Sequence, residues 1–248
     1  AGGFHTLAVD AQGNVTGLPG AGEDKEASVI PEGLSNVKQV AGGWDYSLAL
    51  LNDGTIRGWG LGYPAPPSDL LAAVQISSHL QNIMALKSDN TIVRWGAGPS
   101  YLPAPGGVQN VVQVAAGGYH SLALLKDGTV VGWNAIYNSF EAGTIPVDLK
   151  NVVQIAAGEN HSLALLADGS VVGWGRNEVE QNFPATVPNF NKIVKQIAAG
   201  GFHSLILFTD GTVLSWGGDG KSTELTPTTN LKNVVDIAAG WRHSVSRL

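Results

Sequence analysis

The chain has 248 residues, 44% of them hydrophobic and 14% charged, with a formal net charge of −6 and no cysteine. That length and apolar content can bury a substantial core as one unit. Sparse charge with no lysine or arginine cluster excludes the electrostatic footprint of a duplex-DNA or anionic-membrane surface, and the lack of thiols excludes disulfides and thiolate metal sites.

In chain order, the first unit is Ala1 to Val9, AGGFHTLAV, followed by Gly13 to Leu18, with Leu18 where later copies have tryptophan. A second unit, Val40 to Gly60, puts Tyr46 at the histidine position and closes on Trp59-Gly60 after an Asn52-Asp53-Gly54 turn. The third is the most divergent: Ile76-Ser77-Ser78-His79-Leu80-Gln81-Asn82 replaces the small-residue turn, and Ser88-Asp89-Asn90 replaces Asp-Gly ahead of Trp95-Gly96. Asn90 tolerates the left-handed backbone such a hairpin needs. The fourth and fifth units, Asn110 to Trp133 (NVVQVAAGGYHSLALLKDGTVVGW) and Asn151 to Trp174 (NVVQIAAGENHSLALLADGSVVGW), are near copies. The sixth, Ile197 to Gly217, reads IAAGGFHSLILFTDGTVLSWG, and the seventh, Asn233 to Leu248, reads NVVDIAAGWRHSVSRL.

Within the fourth unit, VVQVAAG, SLALL and TVVGW are apolar runs of strand length and composition. Lys126-Asp127-Gly128 is a tight hairpin signal, because glycine accepts positive φ. Three antiparallel strands follow, and a fourth is expected in the linker at Thr144-Ile145-Pro146-Val147, where proline is tolerated on a sheet edge. A period of about forty residues is the signature of a repeat array or propeller. The expected fold is all-β: a seven-bladed β-propeller of four-stranded blades, one domain over residues 1–248, with six blades as the alternative. The segments AGGFHTLAVD and AGWRHSVSRL align with the same part of the unit, so both would claim one strand position in a closed six-bladed ring. Seven turn segments with six downstream hairpins favour seven blades, the last one incomplete. Its outer strands would come from residues ahead of Ala1, and its bare edge predicts self-association.

The joint pattern AAGxxHSLAL followed by DGTVxGWG resembles the regulator of chromosome condensation repeat family, over essentially the whole chain. The resemblance implies a β-propeller. In repeat length the chain is similar to the bacterial members, including the propeller-type β-lactamase inhibitors, which implies a role as an enzyme inhibitor. The family's eukaryotic founders imply the alternative of a nucleotide-exchange regulator. Gly240-Trp241-Arg242-His243-Ser244 also resembles the Gly-Trp-Arg-His-Thr motif of the plant UV-B photoreceptor propellers, although only one such motif is present.

Catalytic signatures are missing: no G-x-S-x-G elbow, phosphate-cradling glycine loop, H-E-x-x-H or cysteine nucleophile occurs, so the chain reads as a non-enzyme without cofactor. Five histidines, His5, His120, His161, His203 and His243, occupy equivalent positions. Without His-x-x-x-His spacing or paired carboxylates they read as structural groups whose ring nitrogens satisfy the turn backbone, not as metal ligands. Trp59, Trp95, Trp133, Trp174 and Trp216, one per unit, read as core.

What varies between units is the better guide to function. The turns between first and second strands and the loops after the third emerge on one face; the Asp-Gly hairpins, an acidic and repetitive rim, emerge on the other. The first face is expected to bind a protein partner through Phe4, Trp44, Asp45, Glu159, Asn160, Phe202, Trp241, Arg242 and Tyr119 on the turns, and Tyr63, Tyr101, Tyr137 and Phe140 on the loops. Gln81 and Asn177 lie on the same face. Tryptophan, tyrosine and arginine dominate binding hot spots, and loop variation on a constant scaffold is how recognition is built. A lectin is the alternative binding class, disfavoured because the aromatics do not recur identically from unit to unit. Nucleic acid and membrane are not expected partners, and an extracellular or cell-surface setting is favoured over the cytoplasm.

Overall fold

The computed structural model describes residues 1–20, 25–96, 104–134, 142–177, 192–218 and 231–248. Among them, each repeat unit forms one antiparallel sheet, seven in all. The first pairs β1 (His5–Val9) with β2 (Val15–Pro19). Five three-stranded sheets follow: β3 (Val37–Gly42), β4 (Tyr46–Leu51) and β5 (Ile56–Gly60); β6 (Ala73–His79), β7 (Asn82–Lys87) and β8 (Ile92–Gly96); β9 (Val111–Ala116), β10 (His120–Leu125) and β11 (Val130–Asn134); β12 (Val152–Ala157), β13 (His161–Leu166) and β14 (Val171–Gly175); β15 (Val194–Ala199), β16 (His203–Phe208) and β17 (Val213–Gly217). The seventh pairs β18 (Asp236–Ala239) with β19 (Ser244–Arg247).

The expected fourth strand does not form at residues 144–147, which lie in a bend and turn. Pro146 has no N–H to offer a ladder, and its carbonyl instead accepts Leu149 N–H at 3.1 Å. The linker still lies against the sheet. A Cβ on Gly132 would collide with Gly143 O, so a bare backbone is what lets the linker approach β11.

First strands pack on first strands from one sheet to the next and so lie innermost. In all five three-stranded sheets this strand carries a β-bulge, at Lys38, Val74, Val112, Val153 and Lys195; in the second sheet Val37 faces Leu51 and Gln39 faces Leu50, leaving Lys38 unpaired. A bulge re-aims the neighbouring side chain. Here it sends a glutamine amide to the next sheet: Gln39 Oε1 accepts Ile76 N–H at 2.9 Å and Nε2 donates to Ile76 O at 2.8 Å. Gln75 pairs likewise with Val114, Gln113 with Ile155, Gln154 with Ile197 and Gln196 with Ile237. Nothing in the repeat pattern marks out this glutamine; its neighbours across the sheets reveal its work.

The histidines make a second stitch, different from the one expected. Nε2 of His5, His120, His161 and His203 lies 2.8, 2.8, 2.9 and 2.9 Å from the hydroxyls of Ser47, Ser162, Ser204 and Ser244, each in the following sheet. The turn N–H groups of Gly117, Gly158 and Gly200 are met by histidine carbonyls, not by the rings. Ser47 and Ser162 donate their single hydroxyl proton to Ala27 O and Ala142 O at 2.6 and 2.7 Å, so there the imidazole must donate from Nε2. Burial holds these rings neutral, pushing His5 and His203 down to about 4 and His120 and His161 to about 3. In the third sheet Asn82 stands in for histidine, its Nδ2 within 3.0 Å of Gly117 O, His120 O and Ser121 Oγ.

The apolar core fills the spaces between sheets. Leu48, Leu50, Ile76, Ile83 and Trp95 join the second to the third, and Leu122, Leu124, Ile155 and Trp174 the fourth to the fifth. As expected, Trp95, Trp133 and Trp174 are buried; Trp59 and Trp216 are half-buried. The linkers re-enter the second, fourth, fifth and seventh sheets through a left-handed asparagine, Asn36, Asn110, Asn151 and Asn233 at φ of 56–62°, and the third through Ala72 at 56°. In the second to fifth sheets its carbonyl accepts a hairpin N–H: Asn36 from Asn52, Ala72 from Ser88, Asn110 from Lys126 and Asn151 from Ala167, all at 2.9 Å.

Three measurements test this frame. Trp133→Ala should cost about 3–5 kcal/mol in denaturant unfolding; a loss under about 1 kcal/mol would remove Trp133 from the core. Ala72→Asn, at an exposed position, should raise stability by about 0.5–1 kcal/mol, because alanine pays a steric penalty in the left-handed region that asparagine largely avoids. The histidines set the acid response: with folded pKa lowered, their contribution is whole above about pH 6.5 and is lost as pH falls toward 4 and 3, at about 1.4 kcal/mol per pH unit for each ring kept neutral. The urea midpoint should hold steady above pH 7 and fall steeply below 6.5, and a constant midpoint between pH 7 and 5 would contradict neutral rings.

Candidate functional site

In the second and the fourth to seventh sheets a Gly-x-x turn ends the first strand, Leu80-Gln81 takes its place in the third, and Gly2-Gly3-Phe4 leads into β1, so these turns gather at one end of the stitched sheets. The turns bond to each other as well. Gly3 N–H donates to Gly43 O at 2.8 Å, Trp44 to Leu80 at 3.0 Å, Gly118 to Gly158 at 2.9 Å, Glu159 to Gly200 at 3.2 Å and Gly201 to Gly240 at 3.2 Å. Trp241 N–H then donates to Gly2 O at 3.2 Å, joining the last sheet to the first.

On this frame the variable turn residues converge. Trp44 and Trp241 have ring centroids 4.6 Å apart, and Phe4 stands edge-on to both at 5.0 and 5.5 Å. Phe202 lies 6.0 Å from Trp241. The Arg242 guanidinium sits 4.3 Å from the Trp241 ring centre and 5.8 Å from that of Phe202, with the Arg176 guanidinium 5.9 Å from Phe202. Geometries of this kind add to area burial, through ring quadrupoles and cation–π attraction. Glu159 Oε2 accepts the Trp241 indole N–H at 2.7 Å, and burial raises its carboxyl above the usual range against the opposing pull of that bond, Arg176 and Arg242.

Among the other expected residues, Tyr119 stands exposed at 41%, its N–H donating to Glu159 O. Asn160 is buried, and its carbonyl takes Arg176 N–H at 2.8 Å, so it supports the face from beneath. Half-buried Asp45 does the same for Leu61 N–H at 2.9 Å. Tyr63 is not brought to the cluster. It packs on Gly58 and toward Tyr46, 6.2 Å between centroids, in the core cluster of the second and third sheets, and burial raises its phenol to about 12. Tyr101, Tyr137 and Phe140 lie outside the described residues. Arg176 was missed from sequence because it follows Trp174-Gly175 at a strand end; the available signal was that this strand end pairs back to the turn.

The opposite face carries the expected repetitive row of exposed carboxylates. Asp53, Asp127 and Asp168 each cap their own hairpin, accepting both N–H and hydroxyl of Thr55, Thr129 or Ser170, which holds the carboxyl below its usual range. Asp89 and Asp210 are further paired with Lys87 and Lys192 at 3.0 and 2.9 Å. Among the described residues no group of three or more His, Asp or Glu side chains is placed to hold a metal, and no helix is long and apolar enough to cross a membrane.

Residues 37–63, 111–133, 152–181 and 194–222 match the model of the regulator of chromosome condensation (RCC1) repeat. No curated protein matches the chain by sequence. Among solved structures, Prp20p of Saccharomyces cerevisiae, described with its binding properties to Gsp1p and histones, is similar at TM-score 0.78 and 24% identity, over 99% of this chain and 80% of that one. The CRINKLY WD40 ectodomain of the Arabidopsis thaliana receptor kinase ACR4 gives 0.73 and 19%, over 98% and 86%. Human WBSCR16 gives 0.72 and 20%, over 99% and 84%. At such identities the likeness speaks for fold, and fold does not carry function by itself. The four matched segments, which supply the strands, the glycine turns and the closing tryptophans of the second, fourth, fifth and sixth sheets, are matched as regulator of chromosome condensation (RCC1) repeats, and the chain has an all-β, propeller-type architecture similar to that of Prp20p.

Proposed function

We propose that the chain is a non-enzymatic protein-interaction module, a single propeller unit over residues 1–248, that binds its partner through the face bearing Phe4, Trp44, Tyr119, Phe202, Trp241 and Arg242. The observation that carries this reading is convergence: turns from the first, second, sixth and seventh sheets, far apart in sequence, pool their large side chains into one packed cluster. Such a cluster loses little side-chain entropy on binding, and Tyr119 and Arg242 at its edge are exposed. Aromatic rings with an arginine are the composition of hot spots, while the hairpin face spends its carboxylates on its own turns. That Prp20p is described with protein partners supports the same class of function. A platform of this kind laid over an enzyme's cleft would act as an inhibitor.

Paired surface variants test the assignment. The wild-type chain, Tyr119→Ala, Arg242→Ala and the double variant Asp127→Asn/Asp168→Asn are immobilised, a captured partner is identified, and its affinity for each is titrated. Loss of Tyr119 or Arg242 should weaken binding by about 2 kcal/mol or more, roughly thirtyfold, with the circular dichroism spectrum unchanged. The hairpin variant should stay within about threefold of wild type. Unchanged affinity for the aromatic-face variants, with loss for the hairpin variant, would move the site to the other face.

A further inference from the structure

Every junction between consecutive sheets from the second to the seventh has its glutamine pair, and four junctions have a serine–histidine bond. The junction of the seventh sheet with the first has neither among the described residues. Asp236 stands where the other first strands have glutamine and accepts Gln196 Nε2 at 2.9 Å, from the sixth sheet. His243 Nε2, the counterpart of the bonded histidine nitrogens, meets no hydroxyl. Across this seam run the bond from Trp241 N–H to Gly2 O, the packing of the Trp241 ring on Phe4 and an interaction of the His243 ring with the His5 backbone. The same indole touches Trp44 of the second sheet and Phe202 of the sixth, and it reaches Glu159 of the fifth. Trp241 is therefore fixed at its far edge by one bond, to a carboxylate two sheets away.

From this geometry we infer that Glu159 is the positioning residue of the aromatic face: by accepting the Trp241 indole N–H it holds the ring of Trp241 across the seam, so that seam closure and assembly of the platform are one event. A carboxylate is a stronger acceptor than water for an indole donor that would otherwise be half-buried and unmet. Any partner that binds the assembled platform would then stabilise the closed seam by linkage. That last step rests on the interaction reading above; the clasp itself does not.

The experiment needs no partner, so its failure and the failure of the interaction reading are separable. Amide hydrogen exchange is followed by NMR at Trp241, whose N–H crosses the seam, and at Gly2 and Gly240 in the turns on either side of it, together the seam amides, against Gly117 and Gly169 in the fourth and fifth sheets as controls. Glu159→Ala and Trp241→Phe, which keeps a ring but removes the N–H, should each speed the seam amides by roughly tenfold or more, the equivalent of one charge-assisted hydrogen bond, and leave the controls within about twofold. Glu159→Gln retains an oxygen acceptor without the charge and should fall between wild type and Glu159→Ala. The double variant Glu159→Ala/Trp241→Phe should exchange no faster than the quicker single variant, since both remove the same bond. Three outcomes would overturn the inference. One is Glu159→Gln matching Glu159→Ala, which would assign the effect to charge beside Arg176 and Arg242. The others are equal acceleration of seam and control amides, and additive effects in the double variant.

Discussion

One glutamine amide in each of the five three-stranded sheets, bonded to both the N–H and the carbonyl of a residue in the next sheet, is the interaction on which this architecture depends. A three-stranded sheet of this size cannot bury both faces alone. The glutamine sets each sheet at a fixed distance and register from the next, close enough for Leu48, Ile76 and Trp95, or Leu122, Ile155 and Trp174, to close a core between them. It does so because a bulge one residue earlier, which leaves that residue unpaired and the glutamine in register, aims the glutamine side chain at the next sheet; the bulge residues Val74, Val112 and Val153 stand exposed among apolar neighbours. Those valines are the cost of the bulge.

The third sheet shows how far the plan bends. It has lost the histidine and the serine of the second stitch, and Asn82 at the histidine position bonds forward to three acceptors while Arg94 Nε donates to its Oδ1 at 2.8 Å. Ser77, in place of alanine, adds a bond from Ala116 N–H at 2.9 Å. The chemistry changes and the demand stays the same: the side chain at this position finds its partner in the next sheet.

Function and closure meet at Trp241. Sequence logic treats a variable turn residue as free for recognition, since nothing in the repeat asks for it. The structure gives Trp241 a half-buried ring, four aromatic or cationic neighbours and a carboxylate across the axis. It is a frame member and a surface at once, and truncating it would disturb both. Tyr119 and Arg242, which are exposed, report recognition more cleanly.

The sequence by itself determined the repeat, the strands, the hairpins and the buried tryptophans, because these are set by contacts within about twenty-five residues: apolar runs, a glycine that admits positive φ, an aspartate capping its own turn. It also separated the varied face from the repetitive one. Tertiary structure decided the rest. The fourth strand at residues 144–147 yielded to a turn because Pro146 brings no donor, and Tyr63 went to the core because Gly58 leaves room for its ring. The histidine rings chose serines some forty residues away over their own turns, and Arg176 joined Phe202 because Asn160 O holds its backbone. Trp241 found Glu159 across 82 positions of chain. No local pattern encodes such pairs, since they exist only once the sheets have been brought around a common axis.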